Sequence, residues 1–173
     1  MDQIVDHLPG LRRYARALTG NAWAADDLVQ DTLERACRKW LLWRAGSDLR
    51  AWLFTLMHHL YLNQQRSASA LPLLDIETVQ DSLHQAPPPA SDDAIDLDRC
   101  LQRLPSDQRA VLLLVTLEDM DYAQTARVLQ IPVGTVMSRL SRARARLREL
   151  MQAPAQAVRP SSADGPPALR RLK

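Results

Sequence analysis

With 173 residues, 46% of them hydrophobic and 24% charged, the chain has the make-up of a globular protein with room for one ordinary domain or two small ones. Only 5 Gly stand against many Leu, Ala and Arg, a mixture that favours helices over strands. A net charge of +2 excludes little, but the N-terminus carries no basic-then-apolar signal segment and the longest apolar run, Val111 to Val115, falls far short of the ~20 residues that span a bilayer. A cytoplasmic protein without stable membrane insertion is expected.

Apolar residues recur at helical spacing from Ile4 to Thr19, through Leu8, Leu11, Tyr14, Ala15 and Leu18, with Pro9-Gly10 able to break the first turn. Thr19-Gly20-Asn21 ends that segment. A second helix follows with Trp23, Leu28, Leu33, Ala36, Cys37 and Trp40 inward and Asp26, Asp27, Gln30, Asp31 and Glu34 on other faces. Residues 44–48 read as a loop. A third helix starts at Ser47 or Asp48, either of which can cap it, and runs through Trp52, Leu53, Leu56 and Leu60 to about Arg66.

The period is lost over residues 67–95, which contain Ala86-Pro87-Pro88-Pro89-Ala90. Between 71 and 98 the chain carries Asp75, Glu77, Asp81, Asp92, Asp93, Asp96 and Asp98 with no Lys or Arg, so an extended acidic linker is expected. Order resumes with Ile95, Leu97, Cys100, Leu101 and Leu104 in a helix that stops before Pro105. Ser106 or Asp107 can cap the next helix, whose Val111-Leu112-Leu113-Leu114-Val115 suits the buried centre of a small bundle.

Asp121-Tyr122-Ala123-Gln124 has the Asp and Gln spacing of a capping box. The helix it opens is short, ending near Leu129, and Ile131-Pro132-Val133-Gly134 makes a turn before a long helix from Thr135 to Met151. Two helices joined by a short turn suggest a helix-turn-helix. The tail 153–173, with Pro154, Pro160, Pro166 and Pro167, is expected to be disordered. Its Arg159, Arg170, Arg171 and Lys173 either add non-specific affinity for DNA or form an inert extension.

The fold class expected is therefore all-α: two small helical bundles, residues 1–66 and 96–152, joined by a flexible acidic linker. Cys37 and Cys100 lie far apart with no CxxC spacing and no nearby His, so reduced thiols are expected rather than a disulfide or zinc site. No cofactor, metal or catalytic group is assigned.

In the last helix Val136, Leu140, Ala143, Leu147 and Leu150 form one apolar stripe at steps of three and four. The remaining surface shows Thr135, Ser138, Arg139, Ser141, Arg142 and Arg146, hydroxyl and guanidinium donors suited to phosphate oxygens and to guanine acceptors in the major groove. Thr135, Ser138 and Arg139 lie near the helix N-terminus, where backbone N–H groups also favour a phosphate. An Arg-rich solvated helix is the plainer alternative for the arginines taken alone.

The run from Tyr122 to Arg144, and within it Gly134-Thr135-Val136-x-Ser138-Arg139, resembles the DNA-reading fourth region of the extracytoplasmic-function (ECF) subfamily of sigma-70 RNA polymerase sigma factors. The resemblance implies that Thr135, Ser138, Arg139, Arg142 and Arg146 hold the upstream promoter element. Ala25-Asp26-Asp27-Leu28-Val29-Gln30-Asp31-Thr32 looks like the family's second region. That implies contact of Asp26, Asp27, Gln30, Asp31 and Glu34 with the clamp helices of the polymerase's largest subunit, alongside a flap contact elsewhere. A carboxylate-rich helix fits a basic partner, although acids in first turns also suit the helix dipole.

Trp52-Leu53-Phe54-Thr55-Leu56 with Arg66 resembles the family's third helix, which with the preceding loop captures the downstream element as single strand. Trp43, Trp52, His58, His59, Asn63 and Arg66 are the candidates there, since aromatic and polar side chains stack on or read an extruded base. The family pattern has Asn where this chain has His59, Asp where it has Asn63, and often a basic residue at His58. The histidines could titrate near neutrality against phosphate or be idle surface residues, and the tryptophans suit core as well as base platforms.

By resemblance the partners are core RNA polymerase, promoter DNA and an anti-sigma factor. Two other readings are a helix-turn-helix regulator acting without polymerase and a metal-dependent nuclease built on Asp26, Asp27 and Asp31, for which nothing supplies the rest of a site.

Overall fold

The computed structural model describes residues 2–40, 43, 48–70 and 92–152, and all regular structure among them is helical. A single turn, α1 (Asp2–Val5), precedes α2 (Leu8–Thr19). The break falls ahead of Pro9 rather than at Pro9-Gly10, because a proline in the first turn of a helix gives up an N–H that has no partner there anyway. Gly20, at φ 67°, closes α2 in the left-handed conformation, its N–H donating to the Arg16 carbonyl.

Asn21 caps α3 (Ala22–Arg38) by accepting from the Ala24 N–H at 3.0 Å. The buried stripe of α3 is Ala25, Leu28, Val29, Thr32 and Ala36. Two residues expected inward are not: Trp23 is 83% exposed and Cys37 is exposed. Cys37 lies nine positions, two and a half turns, from Leu28 and so faces the opposite side, and Trp23 is likewise rotated well away from that stripe. Asp48 caps α4 (Leu49–Ala70), its carboxylate accepting from the Ala51 N–H at 2.9 Å.

Helix α4 runs four residues past Arg66, and α5 (Asp92–Gln102) begins three residues before Ile95, so the expected linker is shorter at both ends. Residues 67–70, Ser-Ala-Ser-Ala, hold no Pro or Gly to stop α4, and acids at the start of α5 suit a helix N-terminus. The rest of that linker, 71–91, and the tail 153–173 lie outside the described residues.

The helix α6 (Ser106–Thr116) has Pro105 at its N-cap position with no side-chain cap. Neither Ser106 nor Asp107 caps it, since both already lie within its first turn. Residues 109–114 are buried throughout, as expected of the centre of a bundle. The capping box on α7 (Tyr122–Leu129) is complete: the Gln124 N–H donates to Asp121 at 2.6 Å and the Asp121 N–H to Gln124 at 3.1 Å. Gln130, left-handed at φ 54°, ends α7, and α8 (Val133–Gln152) starts two residues earlier than expected, with the Pro132 carbonyl accepting from Thr135 and Val136.

Helices α2, α3 and α4 form one bundle, and α5 to α8 form the second. The two bundles are packed on each other, α4 against α7 and α2 against α5 and α6, so their buried residues make one contiguous core. Tyr14 and Phe54 meet edge to face at 5.3 Å near its middle. Burial pushes the Tyr14 phenol well above its usual range.

Candidate nucleic-acid and partner interfaces

Two local devices aim α8. The capping box fixes where α7 begins, and the left-handed Gln130 followed by Pro132 turns the chain into α8. Val136, Leu140, Ala143 and Leu150 then anchor α8 in the core, with Leu147 half-buried against it. What remains outward includes Ser138, Ser141, Arg142, Arg144, Arg146 and Arg148, all exposed.

On that face the donors are partly held by their own helix. The Ser138 hydroxyl donates to the Thr135 carbonyl at 3.1 Å, and Arg142 reaches the Ser138 carbonyl and hydroxyl at 3.3 and 3.4 Å. Arg146 pairs with Glu149 at 3.1 Å. Such exposed contacts hold side chains only loosely, so phosphate can displace them. Arg139 differs: it is half-buried and its guanidinium meets Asp107 of α6 at 3.2 Å. Thr135 is half-buried beside it.

The acids of α3 form a second surface. Asp27, Gln30, Asp31 and Glu34 follow at steps of three, one and three along one exposed to half-exposed face, with Asp26 at its edge. Their local partners are weak: Arg16 lies 3.8 Å from Asp26, Arg38 3.2 Å from Glu34, and Gln64 of α4 donates to Asp31 at 3.3 Å. Trp23, one turn before Asp27, stands exposed at the head of this stripe. The sequence pattern missed it as a surface residue, since an aromatic side chain at helical spacing reads as core.

The candidates for the downstream element are divided by the fold. Asn63 and Arg66 are exposed at the C-terminal end of α4, while Trp52 and His59 are half-buried. Trp43 packs on Trp40 with ring centroids 5.0 Å apart, and its indole N–H is buried with no hydrogen-bond partner. His58 is a correction to the surface reading, because it is only 7% exposed and its Nδ1 has no partner. Burial, then the charges of His59 and Arg139, pull its imidazole down to about 4, so it is neutral at pH 7 and carries no charge toward phosphate.

Sequence reasoning gave no role to Arg13, Arg50, Gln102, Arg109 or Glu118, which tie the bundles together. Glu118 lies at the end of the polar step after Val115, and nothing in its neighbours marks it as buried. Among the described residues no group of three or more His, Cys, Asp or Glu is placed to hold a metal ion, and no described helix is long and apolar enough to cross a membrane.

Residues 4–58 match the family described as the Sigma2 domain of PhyR, and residues 94–147 match Sigma-70, region 4. The chain is 35% identical to the ECF RNA polymerase sigma factor EcfG of Rhodopseudomonas palustris over 155 residues, covering 87% of this chain and 83% of that one. With the ECF RNA polymerase sigma factor SigM of Mycobacterium tuberculosis it shares 36% identity over 148 residues, 84% of this chain and 73% of the other. Among solved structures, the sigma factor RpoE of Bartonella quintana, in complex with the anti-sigma factor NepR, superposes with a TM-score of 0.73 at 34% identity, covering 88% of this chain and 96% of that one.

Proposed function

The chain belongs to the extracytoplasmic-function family of RNA polymerase sigma factors, and from that premise we propose how its surfaces divide the work. Residues 1–66 bind core polymerase and capture the downstream promoter element, and residues 96–152 hold the upstream element. The observation that carries this reading is the pairing, on one chain, of a capped helix-turn-helix bearing exposed arginines with an exposed acidic stripe on α3.

In this assignment Asp26, Asp27, Gln30, Asp31 and Glu34 meet a basic surface of the polymerase clamp, where charge complementarity sets orientation and association rate. Arg139, Arg142 and Arg146, with Thr135 and Ser138, enter the major groove. Trp43, Trp52, His59, Asn63 and Arg66 surround the melted strand, and the buried, neutral His58 packs behind them. Bond formation belongs to the polymerase, and the chain works beside it in the cytoplasm without covalent chemistry of its own. An anti-sigma factor is the expected restraint, by analogy with the complex seen for the Bartonella quintana relative.

Retention of core polymerase on the immobilised chain tests the α3 assignment. Asp27→Ala with Asp31→Ala is expected to lower retention by about tenfold, a loss of ~1.4 kcal/mol in binding. Retention equal to that of the parent would contradict it.

A further inference from the structure

We propose that the solvent face of α3 is a helix-pairing seam for core polymerase, with Trp23 and Cys37 as apolar anchors at its two ends. This deepens the sigma-factor reading and rests on it for the identity of the partner, while the seam itself stands on the geometry of α3.

The buried stripe of α3 is Ala25, Leu28, Val29, Thr32 and Ala36. At about 100° per residue, the positions opposite that stripe are Trp23, Asp27, Gln30, Glu34 and Cys37, and all five are exposed. They follow one another at steps of four, three, four and three, the register in which one helix lies along another at a crossing angle of roughly 20°. From Trp23 to Cys37 the row is about 21 Å long, or about four turns.

The chemistry of the row sets it apart from a solvated face, which is polar throughout. Trp23 is 83% exposed and leaves in water an indole of roughly 200 Å², a side chain type that dominates binding energy where it is buried against a partner. The Cys37 thiol is exposed at the other end. Between them, Asp27 has no ion-pair partner among the described residues, and Glu34 has only its exposed pair with Arg38 at 3.2 Å. Both carboxylates are therefore available to a partner.

These two acids select the occupant. In a second copy of this chain, laid along the seam in either direction, Asp27 and Glu34 would face carboxylates, which costs binding; a nucleic acid is repelled as well. A basic helix on core polymerase meets every position. Its Lys or Arg side chains pair with Asp27 and Glu34, Gln30 fixes the register between them, and a guanidinium or an aliphatic stem covers Trp23. The acids then govern the rate of encounter and Trp23 the lifetime of the complex, because charge steers association whereas a packed aromatic anchor slows dissociation.

The test measures association and dissociation of core polymerase on the immobilised full chain over a salt series. Trp23→Ala should raise the dissociation rate about thirtyfold, as loss of a buried aromatic anchor does, and leave the association rate and its salt dependence unchanged. Asp27→Ala with Asp31→Ala should instead slow association and flatten its salt dependence. Trp23→Phe should recover most of the lifetime, and the urea midpoint of Trp23→Ala should match that of the parent, since the indole takes no part in the core. Alkylation of Cys37 by a small maleimide, read at that residue by mass spectrometry, should slow at least about tenfold under saturating polymerase, since a packed contact excludes water and solute alike. A dissociation rate unchanged by Trp23→Ala, or a Cys37 that stays reactive in the complex, would overturn the seam even where the acid variant behaves as expected. A parent chain that dimerises in sedimentation, and ceases to in Trp23→Ala, would overturn it too, by giving the seam to a second copy. Failure of the parent itself to bind polymerase would overturn the sigma-factor reading, and it shows separately because no variant enters that measurement.

Discussion

Arg139 stands at the junction of two demands, an ion pair with Asp107 at 3.2 Å and the groove-reading role assigned to the N-terminal part of α8. Arg142 is exposed and held only by Ser138. Alanine at either position is expected to weaken duplex binding and to reduce the slope of log affinity against log salt by about 1. Fluorescence anisotropy across a salt series measures this, and an unchanged slope for Arg142→Ala would remove it from the interface. His58 makes a different prediction. Its folded form titrates near 4 and its unfolded form near 6.5, so as pH falls between these values the unfolded chain takes up a proton that the folded chain refuses. Stability is therefore complete above about pH 6.5 and declines toward pH 4, by an amount on the order of 3 kcal/mol. Urea midpoints at pH 7 and pH 5 should converge in His58→Gln; equal declines in parent and variant would show that other groups set the slope.

At the scale of elements, the helix-turn-helix was the most legible part of the chain. The Asp121 and Gln124 spacing, the turn at Ile131-Pro132 and the stripe from Val136 to Leu150 are local signals, and local physics decides them. Asp121→Ala removes the acceptor for the Gln124 N–H and is expected to cost about 1 kcal/mol in chemical unfolding. A loss below about 0.3 kcal/mol would mean that the N-terminus of α7 is held by its packing on α4 instead. Helix α3 is less legible. Its acids lie on the surface as their type suggests, but Trp23, apolar by type, is rotated away from the buried stripe of α3 and exposed. Helix α4 extends past its apolar pattern to Ala70 for a related reason: loss of the apolar period removes a buried face without stopping a helix.

For the whole molecule, the two bundles could be read from periodicity, and their packing on each other could not. Glu118 meets Arg13 at a sequence separation of 105 and Arg50 at one of 68, and no local pattern distinguishes it from a solvated acid. Gly10 read as a helix breaker, yet it sits inside α2 where the carboxylate approaches. His58 shares the buried stripe of α4 with Phe54 and Tyr61, a placement that its residue type did not suggest. Long-range closure thus decided which of the candidate residues are free to act. In vitro transcription with core RNA polymerase, genomic DNA fragments and this chain, with the RNA starts mapped, tests the central claim most directly. New discrete starts preceded by a shared two-part motif are predicted; no new starts, with duplex binding in the absence of polymerase, would contradict it.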